Sequence, residues 1–283
     1  MINLIKGDCL VEMQNIPDKS IDCIICDLPY GTTACKWDTI IPFDELWAQY
    51  KRIIKDNGAI VLFGSQPFTS ALVMSNPKWF KYEIIWKKTR PTGFFTAKNM
   101  VMKIHENILL FSKNKSTYNP IMTEADPSKI DKRKTFKPTF SPYLNVKKGR
   151  VKDSGLRYPI SVQEFNSISE KGQHPTQKPL ELIEYLVKTY TNENVKCDWC
   201  CGSGEVESLT IDCDIQTCSH CNGEGVVKSI ILDNTMGSGT TGVACKQLNR
   251  SFIGIEKDNK YFEIASKRIS NAHPSVSLFS EYP

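Results

Sequence analysis

Cys26-Asp27-Leu28-Pro29-Tyr30-Gly31 is the stretch whose residue types are best suited to chemistry. The apolar run Ile21–Cys26 leads into it and predicts a buried strand. Open α/β sheets place their sites at the carboxyl ends of such strands. Each residue has a use if the substrate is an exocyclic amine on a flat base. Asp27 offers carboxylate acceptors to the N–H groups, the Leu28 carbonyl held by Pro29 offers another, and Tyr30 supplies a face for stacking. Such an amine is a poor nucleophile, because its lone pair is delocalised into the ring. Two acceptors on its hydrogens favour a tetrahedral nitrogen with a localised pair, which is stabilisation of the transition state. Taken alone, the same residues read as a strand followed by an ordinary Pro-Tyr-Gly turn. The chemical reading requires a cofactor site and a nucleic-acid surface elsewhere in the chain.

A cofactor site is signalled at Gly237-Ser238-Gly239-Thr240-Thr241-Gly242, after the apolar run 229–233 and before a helical segment. This is G-x-G-x-x-G in strand–loop–helix context, where glycines let a ligand approach the backbone. Glu256 follows the next strand, where an acid would grip a ribose hydroxyl pair. The loop does not choose the nucleoside. NAD carries a pyrophosphate; S-adenosylmethionine has none, but shares the adenine and the ribose.

Of the 11 cysteines, six crowd between Cys197 and Cys221. Cys197-Asp198-Trp199-Cys200-Cys201-Gly202-Ser203-Gly204 is C-x-x-C-x-G-x-G, and Cys218-Ser219-His220-Cys221-Asn222-Gly223-Glu224-Gly225 repeats it. The repeats resemble the cysteine-rich zinc modules of DnaJ-type chaperones. Two such turns supply four thiolates to one tetrahedral zinc. Cys197, Cys200, Cys218 and Cys221 are the expected ligands, with Cys201, Cys213 and His220 left spare. Four thiolates leave no open position, so the expected metal is structural rather than catalytic. Cys9, Cys23, Cys26, Cys35 and Cys245 read as small apolar residues.

These groups must be held by a scaffold of 283 residues with a 40% hydrophobic fraction, enough for one large α/β domain with insertions. No apolar run approaches the ~18 residues of a membrane span. Met1-Ile2-Asn3-Leu4-Ile5-Lys6 is too soon polar for a signal peptide. The expected setting is the cytoplasm of a bacterium, or of one infected by a virus. Periodicity predicts strands over 2–5, 21–26, 59–63, 82–86, 106–111, 229–233 and 251–255. It predicts helices over 10–16, 44–55 (ended by Asn57-Gly58), from the Gly64-Ser65-Gln66-Pro67 turn to Met74, and over 180–190, 240–248 and 258–269. Residues 31–37 and the basic stretch 87–102, with Phe94 and Phe95, read as loops. This alternation implies a doubly wound α/β sheet of about seven strands. Net charge is +5, but residues 112–173 hold 13 Lys+Arg against 6 Asp+Glu, so the remainder sums to −2. A polyanion would dock on that segment, where Lys132, Arg133, Lys134, Lys147, Lys148 and Arg150 lie among six aromatics.

Four ordered motifs now resemble one family. Gly7-Asp8-Cys9-Leu10, Asp27-Leu28-Pro29-Tyr30, His174-Pro175-Thr176-Gln177-Lys178-Pro179 and Asp233-Asn234-Thr235-Met236-Gly237-Ser238-Gly239-Thr240-Thr241 resemble, in that order, the beta group of S-adenosylmethionine-dependent DNA amino-methyltransferases. The match covers most of the chain outside the cysteine insert and much of 112–173. It implies a Rossmann-like methyltransferase sheet, double-stranded DNA as partner, and transfer to adenine N6 of a flipped base, with cytosine N4 as alternative. By resemblance Asp8 contacts the adenine side of the cofactor and Glu256 its ribose. Lys178 and the helix start at Thr240-Thr241 lie near the methionine carboxylate. Asp27 favours adenine, because the cytosine enzymes more often carry serine there. Leu28 departs from the family's proline, which removes rigidity but not the backbone carbonyl.

The expected organisation is a catalytic half over 1–111, a target-recognition insertion over 112–173, and a cofactor half over 174–194 and 229–270. A zinc insert over 195–228 and a tail over 271–283 complete it. A homodimer and a separate restriction endonuclease stay open as further partners. Two rivals leave motifs unused: an NAD-dependent oxidoreductase ignores the Asp27 corner, and a non-catalytic zinc-containing nucleic-acid-binding protein ignores both loops.

Overall fold

The computed structural model describes residues 1–32, 38–130, 154–166, 177–207 and 215–274. It divides into two compact units, 1–119 with 161–283 and 120–160. Among the described residues the strands are β1 (Ile2–Lys6), β2 (Ile21–Cys26), β3 (Ile54–Gly64), β4 (Phe80–Thr92), β5 (Lys103–Phe111), β6 (Thr123–Glu124), β7 (Leu156–Arg157), β8 (Val162–Phe165), β9 (Asn194–Lys196), β10 (Glu205–Glu207), β11 (Ile215–Thr217), β12 (Val226–Lys228), β13 (Ile230–Asp233) and β14 (Ser251–Glu256). The helices are α1 (Cys9–Glu12), α2 (Phe43–Ile53), α3 (Phe68–Ser75), α4 (Leu180–Tyr190), α5 (Thr240–Gln247) and α6 (Asn259–Asn271).

Eight strands form the main sheet in the order β1-β14-β13-β2-β3-β5-β4-β8. Strands β1, β14, β13, β2 and β3 are parallel, and β5 is antiparallel to both of its neighbours. Alternation along each strand divides the core into two layers. Cys23, Ile25, Ala59, Val61, Ile108 and Leu110 pack with the apolar faces of α4, α5 and α6. Ile24, Cys26, Ile60, Leu62, Leu109 and Phe111 pack with α1, α2 and α3 on the other side. This is the period-two pattern of strands buried on both faces, completed by amphipathic helices. In α2, Leu46, Trp47, Tyr50 and Ile53 turn inward at helical spacing. Its acids stand in the first turn and Lys51 and Arg52 in the last, as the helix dipole favours.

Three expectations change. Asn57-Gly58 does not follow a helix: α2 stops at Ile53 and β3 begins at Ile54. The register against β2 jumps from Ile21↔Ile54 to Cys23↔Ala59, so the Asn-Gly pair sits in a bulge of β3. Second, β4 runs on to Thr92, where a basic loop from Lys87 was expected, because Lys87 and Thr92 still pair with β5 on either side of an irregularity and Lys88 pairs with Phe165 of β8. Third, β8 adds an eighth strand beside β4, with Ile85↔Val162 to Lys88↔Phe165. In the second unit, β6 and β7 pair antiparallel.

One buried hydrogen bond joins α2 to the segment after β13: Tyr50 Oη donates to Asn234 Oδ1 at 2.6 Å. Tyr50→Phe would leave that carbonyl buried without its donor. The expected loss is about 1–3 kcal/mol of unfolding free energy, read by urea denaturation with an unchanged m-value. An unaltered midpoint would show that the bond contributes nothing.

Candidate active site

The parallel strands all end at one edge of the sheet, and the loops there carry the predicted residues. Asp27 follows β2, Asp233 ends β13, Glu256 ends β14, and Asp8 follows β1. They line one cavity of about 640 Å³ together with Tyr30 and Lys178. Thr235 joins its two halves: its Oγ1 donates to the Asp27 carbonyl at 3.0 Å and lies 2.9 Å from Cys26 Sγ. The corner at residue 27 and the glycine loop are therefore one site.

Each carboxylate oxygen of Asp27 has one donor in this arrangement, which leaves further lone pairs for a substrate. Tyr30 Oη donates to its Oδ1 at 2.7 Å, and Lys178 Nζ donates to its Oδ2. Lys178 is only 8% exposed, and its ammonium also stands 3.4 Å from Glu106 Oε2. Lys88 pairs with the other Glu106 oxygen at 2.5 Å. Burial works against the Lys178 ammonium, but Asp27 and Glu106 more than offset it and hold the group above the ordinary lysine range. Burial likewise opposes the Glu106 carboxylate, and Lys178 and Lys88 together keep it below its ordinary range. Two acids and two ammonium groups thus alternate along a short line with balanced charge. The Tyr30 ring stacks on Phe68 at 5.0 Å, and burial pushes its hydroxyl well above the ordinary tyrosine range. Asp38 closes the turn, accepting from the amides of Gly31 and Thr32 at 2.8 and 2.9 Å. Leu28 is buried with the α1–α3 layer of the core. Its side chain is thus a packing group, and the backbone carbonyl is what the turn can offer a substrate.

On the other side of the cavity, Gly239 caps α5 at φ 78. A Cβ there would meet Ala265 Cβ at 2.8 Å, so the left-handed turn and the approach of α6 both require glycine. The Glu256 carboxylate accepts from the Gly237 amide at 2.9 Å and the Asp258 amide at 2.7 Å. Burial raises its pKa against those two bonds. Asp8 caps α1 through the Leu10 amide and meets Lys257 at 3.0 Å, and that lysine holds its carboxyl below the ordinary range. Gln177 Oε1 accepts from Ser238 Oγ at 3.2 Å, fastening the segment before α4 to the glycine loop.

A family model described as DNA methylase, N6_N4_Mtase, matches residues 21–267. The chain belongs to the N6/N4 DNA methylases. It is 27% identical over 301 residues to the type II methyltransferase M.HinfI of Haemophilus influenzae, covering 96% of this chain and 69% of that protein. A crystal structure of the M1.HpyAVI–SAM complex superposes with a TM-score of 0.56 and 26% identity, over 95% of this chain and 100% of that one. The cytosine-N4-specific PvuII DNA methyltransferase shares the fold alone, with a TM-score of 0.58 at 14% identity over 94% of this chain and 86% of that one.

The cavity of this DNA methylase fits a nucleoside-type cofactor. Glu256 and Asp8 supply acceptors, the Gly237–Gly239 loop supplies backbone close to the ligand, and the start of α5 at Thr240-Thr241 supplies a positive dipole end for a carboxylate. The ammonium of Lys178, in contrast, is engaged by Asp27 and Glu106. Sequence reasoning missed Glu106. It lies in the first half of β5, a reversed strand two places from β2 in the sheet, and only the antiparallel run of β5 carries it to the same edge. Lys132, Arg133, Lys134, Lys147, Lys148, Arg150, the motif residues His174, Pro175 and Thr176, and Cys35 and Cys213 lie outside the described residues.

The four expected cysteine ligands do converge. The sulfurs of Cys197, Cys200, Cys218 and Cys221 all lie within 4.8 Å of one another. Cys197 and Cys218 are 4.0 Å apart, and Cys200 and Cys221 3.6 Å. A tetrahedral zinc with bonds of roughly 2.3 Å needs sulfurs about 3.8 Å apart, so the set fits. The Gly204 and Gly225 amides each donate to a sulfur at 3.3 Å. A Cβ at Gly204 would stand 2.1 Å from the Gly223 carbonyl, and one at Gly225 2.4 Å from that of Gly202, so the repeated glycines let the two turns lie against each other. Cys201 is exposed, and His220 stacks on Trp199 at 5.7 Å. The module is rooted away from the cavity: β12 leads into the start of β13, and Lys55 pairs with both Asp198 at 3.2 Å and Asp22, near the start of β2, at 2.9 Å.

Asp233 is the buried acid of the glycine-loop side, accepting from Thr241 Oγ1 at 2.7 Å and the Thr235 amide at 3.2 Å. Burial pushes its carboxyl up to about 7 from an ordinary 3.8, against those two bonds. The folded value lies above the unfolded one. The contribution of the protonated acid to stability is complete below 3.8 and is lost as pH rises through about 7. Asp233→Asn never ionises and can still meet Thr241 and Thr235. Its melting temperature relative to the unsubstituted protein is expected to climb from about pH 4 to about pH 8; parallel curves would show that the acid is not buried as described.

Proposed function

We propose that this methylase transfers a methyl group from S-adenosylmethionine to adenine N6 within a specific sequence of double-stranded DNA. The reading rests on one observation above all: Asp27-Leu28-Pro29-Tyr30 and the glycine loop border a single cavity, with the Thr235 hydroxyl between them. Family membership supports the reaction class. The aspartate at residue 27, where cytosine enzymes more often carry serine, supports adenine over cytosine N4.

The target base is reached by flipping it from the duplex. Asp27 and the Leu28 carbonyl accept the two amine hydrogens and favour a nitrogen with a localised lone pair, while Tyr30 offers its ring to the base. Lys178 holds Asp27 in place, and Glu106 balances the lysine charge. Asp8, Asp233, Gly237, Gly239, Thr240, Thr241 and Glu256 hold the cofactor. When bound, S-adenosylmethionine supplies an electrophilic methyl on a sulfonium. As the N6–methyl bond formed, the methyl–sulfur bond would break and S-adenosylhomocysteine would leave; the Asp27 carboxylate would receive the proton shed by the amine, with no covalent enzyme intermediate. Lys132, Arg133, Lys134, Lys147, Lys148 and Arg150 neutralise phosphates in this reading. The type II relative supports a separate restriction endonuclease as a further partner.

Methylation-sensitive sequencing of DNA from cells expressing the protein tests the proposal. N6-methyladenine in one sequence context is expected; N4-methylcytosine would move the target, and unmodified DNA would end the reading. Asp27→Ala should abolish methylation while the thermal shift given by S-adenosylmethionine persists.

We also infer a structural zinc held by Cys197, Cys200, Cys218 and Cys221. Metal analysis of protein purified without chelator should find about one zinc per chain, lost on Cys197→Ser with Cys218→Ser. Metal-free protein from the unsubstituted chain would overturn the assignment.

A further inference from the structure

The tip of the β4–β5 hairpin is apolar and open to solvent. Phe94 is 75% exposed, Phe95 101%, Val101 93% and Met100 62%. Every residue from 89 to 101 is exposed. Scattered exposed apolar residues need no explanation, but a contiguous group at one turn marks a binding surface. The turn has its own order. Gly93 takes φ 91, the amides of Thr96 and Ala97 donate to the Gly93 and Phe94 carbonyls at 3.1 Å, and the two phenyl rings meet edge-on at 6.3 Å.

Charge and position select the occupant. Residues 87–103 carry five cationic side chains, Lys87, Lys88, Arg90, Lys98 and Lys103, and no acidic one. Lys87 and Lys88 pair with Glu164 and Glu106, whereas Arg90 and Lys98 are exposed beside the apolar tip. Cations around an apolar point suit a polyanion whose interior is apolar, which describes a stacked duplex. The hairpin leaves the sheet at the edge that carries the cavity. Its base is fixed to the reacting corner through Lys88, Glu106 and Lys178, in contact with Asp27. A base drawn into that corner leaves a gap in the stack, and apolar side chains are the groups that fill such gaps.

We propose that Phe94 and Phe95 form a wedge that enters the DNA stack as the target base leaves it, with Arg90 and Lys98 on the flanking phosphates. The inference rests on the DNA-methylation reading above. If sequencing returns no methylated context, that reading has failed. If it returns one, the wedge is tested separately on a duplex of that sequence.

Phe94→Ala with Phe95→Ala is compared with the unsubstituted protein in single turnovers. One duplex is fully paired, and the other has an abasic site opposite the target, so that the base is already loosely held. On the paired duplex the expected rate falls roughly 10- to 100-fold, the scale of an unstacking step that is no longer offset. On the abasic duplex it returns to within about threefold. A 2-aminopurine at the target position should lose its fluorescence rise on binding to the variant. An undiminished thermal shift with S-adenosylmethionine certifies the fold. An unchanged rate on paired DNA would overturn the wedge. So would an equal loss on both duplexes, which would mark the tip as a general contact or a protein-docking surface.

Discussion

Everything at the site depends on β2 and β13 being hydrogen-bonded neighbours. Their ladder, Ile231↔Cys23 and Leu232↔Ile24, sets the ends of the two strands side by side. The loops that follow then have no freedom to separate, and the Thr235 hydroxyl bridges them at the Asp27 carbonyl. Two segments from opposite ends of the chain thus become one pocket through main-chain pairing, the least sequence-dependent interaction available. The acid at residue 27 and the glycines near residue 238 only need to be the right residues at the ends of those strands.

A second constraint is electrostatic. A lone carboxylate in a half-buried corner tends to take up a proton, and a lone buried ammonium tends to lose one. Lys178 and Glu106 avoid both outcomes, because each stands between two opposite charges, Lys178 between Asp27 and Glu106 and Glu106 between Lys178 and Lys88. Breaking such a line is more damaging than never having built it, since a charge left unpaired keeps its desolvation penalty. The line depends on β5 running antiparallel in an otherwise parallel neighbourhood. Reversal is what brings the start of that strand, and with it Glu106, to the edge where Asp27 stands.

Much of this was legible in the chain itself, for identifiable reasons. Strands buried on both faces are continuous apolar runs, so Ile21–Cys26 and the run before Asp233 stand out. The glycine loop and the paired cysteine turns are local motifs, and local motifs survive without knowledge of the fold. The misreadings were all tertiary. Asn57-Gly58 is a turn signal by propensity, yet β2 pairs across it and makes it a bulge. Residues 87–92 are polar and look like loop, but pairing of Lys87 and Thr92 with β5, and of Lys88 with β8, keeps them in the strand. β8 is four residues long and reads as part of a basic loop; only its pairing with β4 makes it a strand. Glu106 and Lys178 carry no local sign of their meeting, because the contact exists only once the sheet order is fixed.

The cysteine module meets the rest of the chain through β9 and β12, which pair antiparallel from Lys196↔Val226 to Asn194↔Lys228. Its two points of attachment are therefore already adjacent, and they lie at the end of the sheet remote from the cavity. Joining residues that touch adds little closure entropy to the host. The length of chain between β9 and β12 is therefore uncoupled from the geometry of the catalytic corner, and that stretch can grow or shrink with no strand end at the cavity having to move.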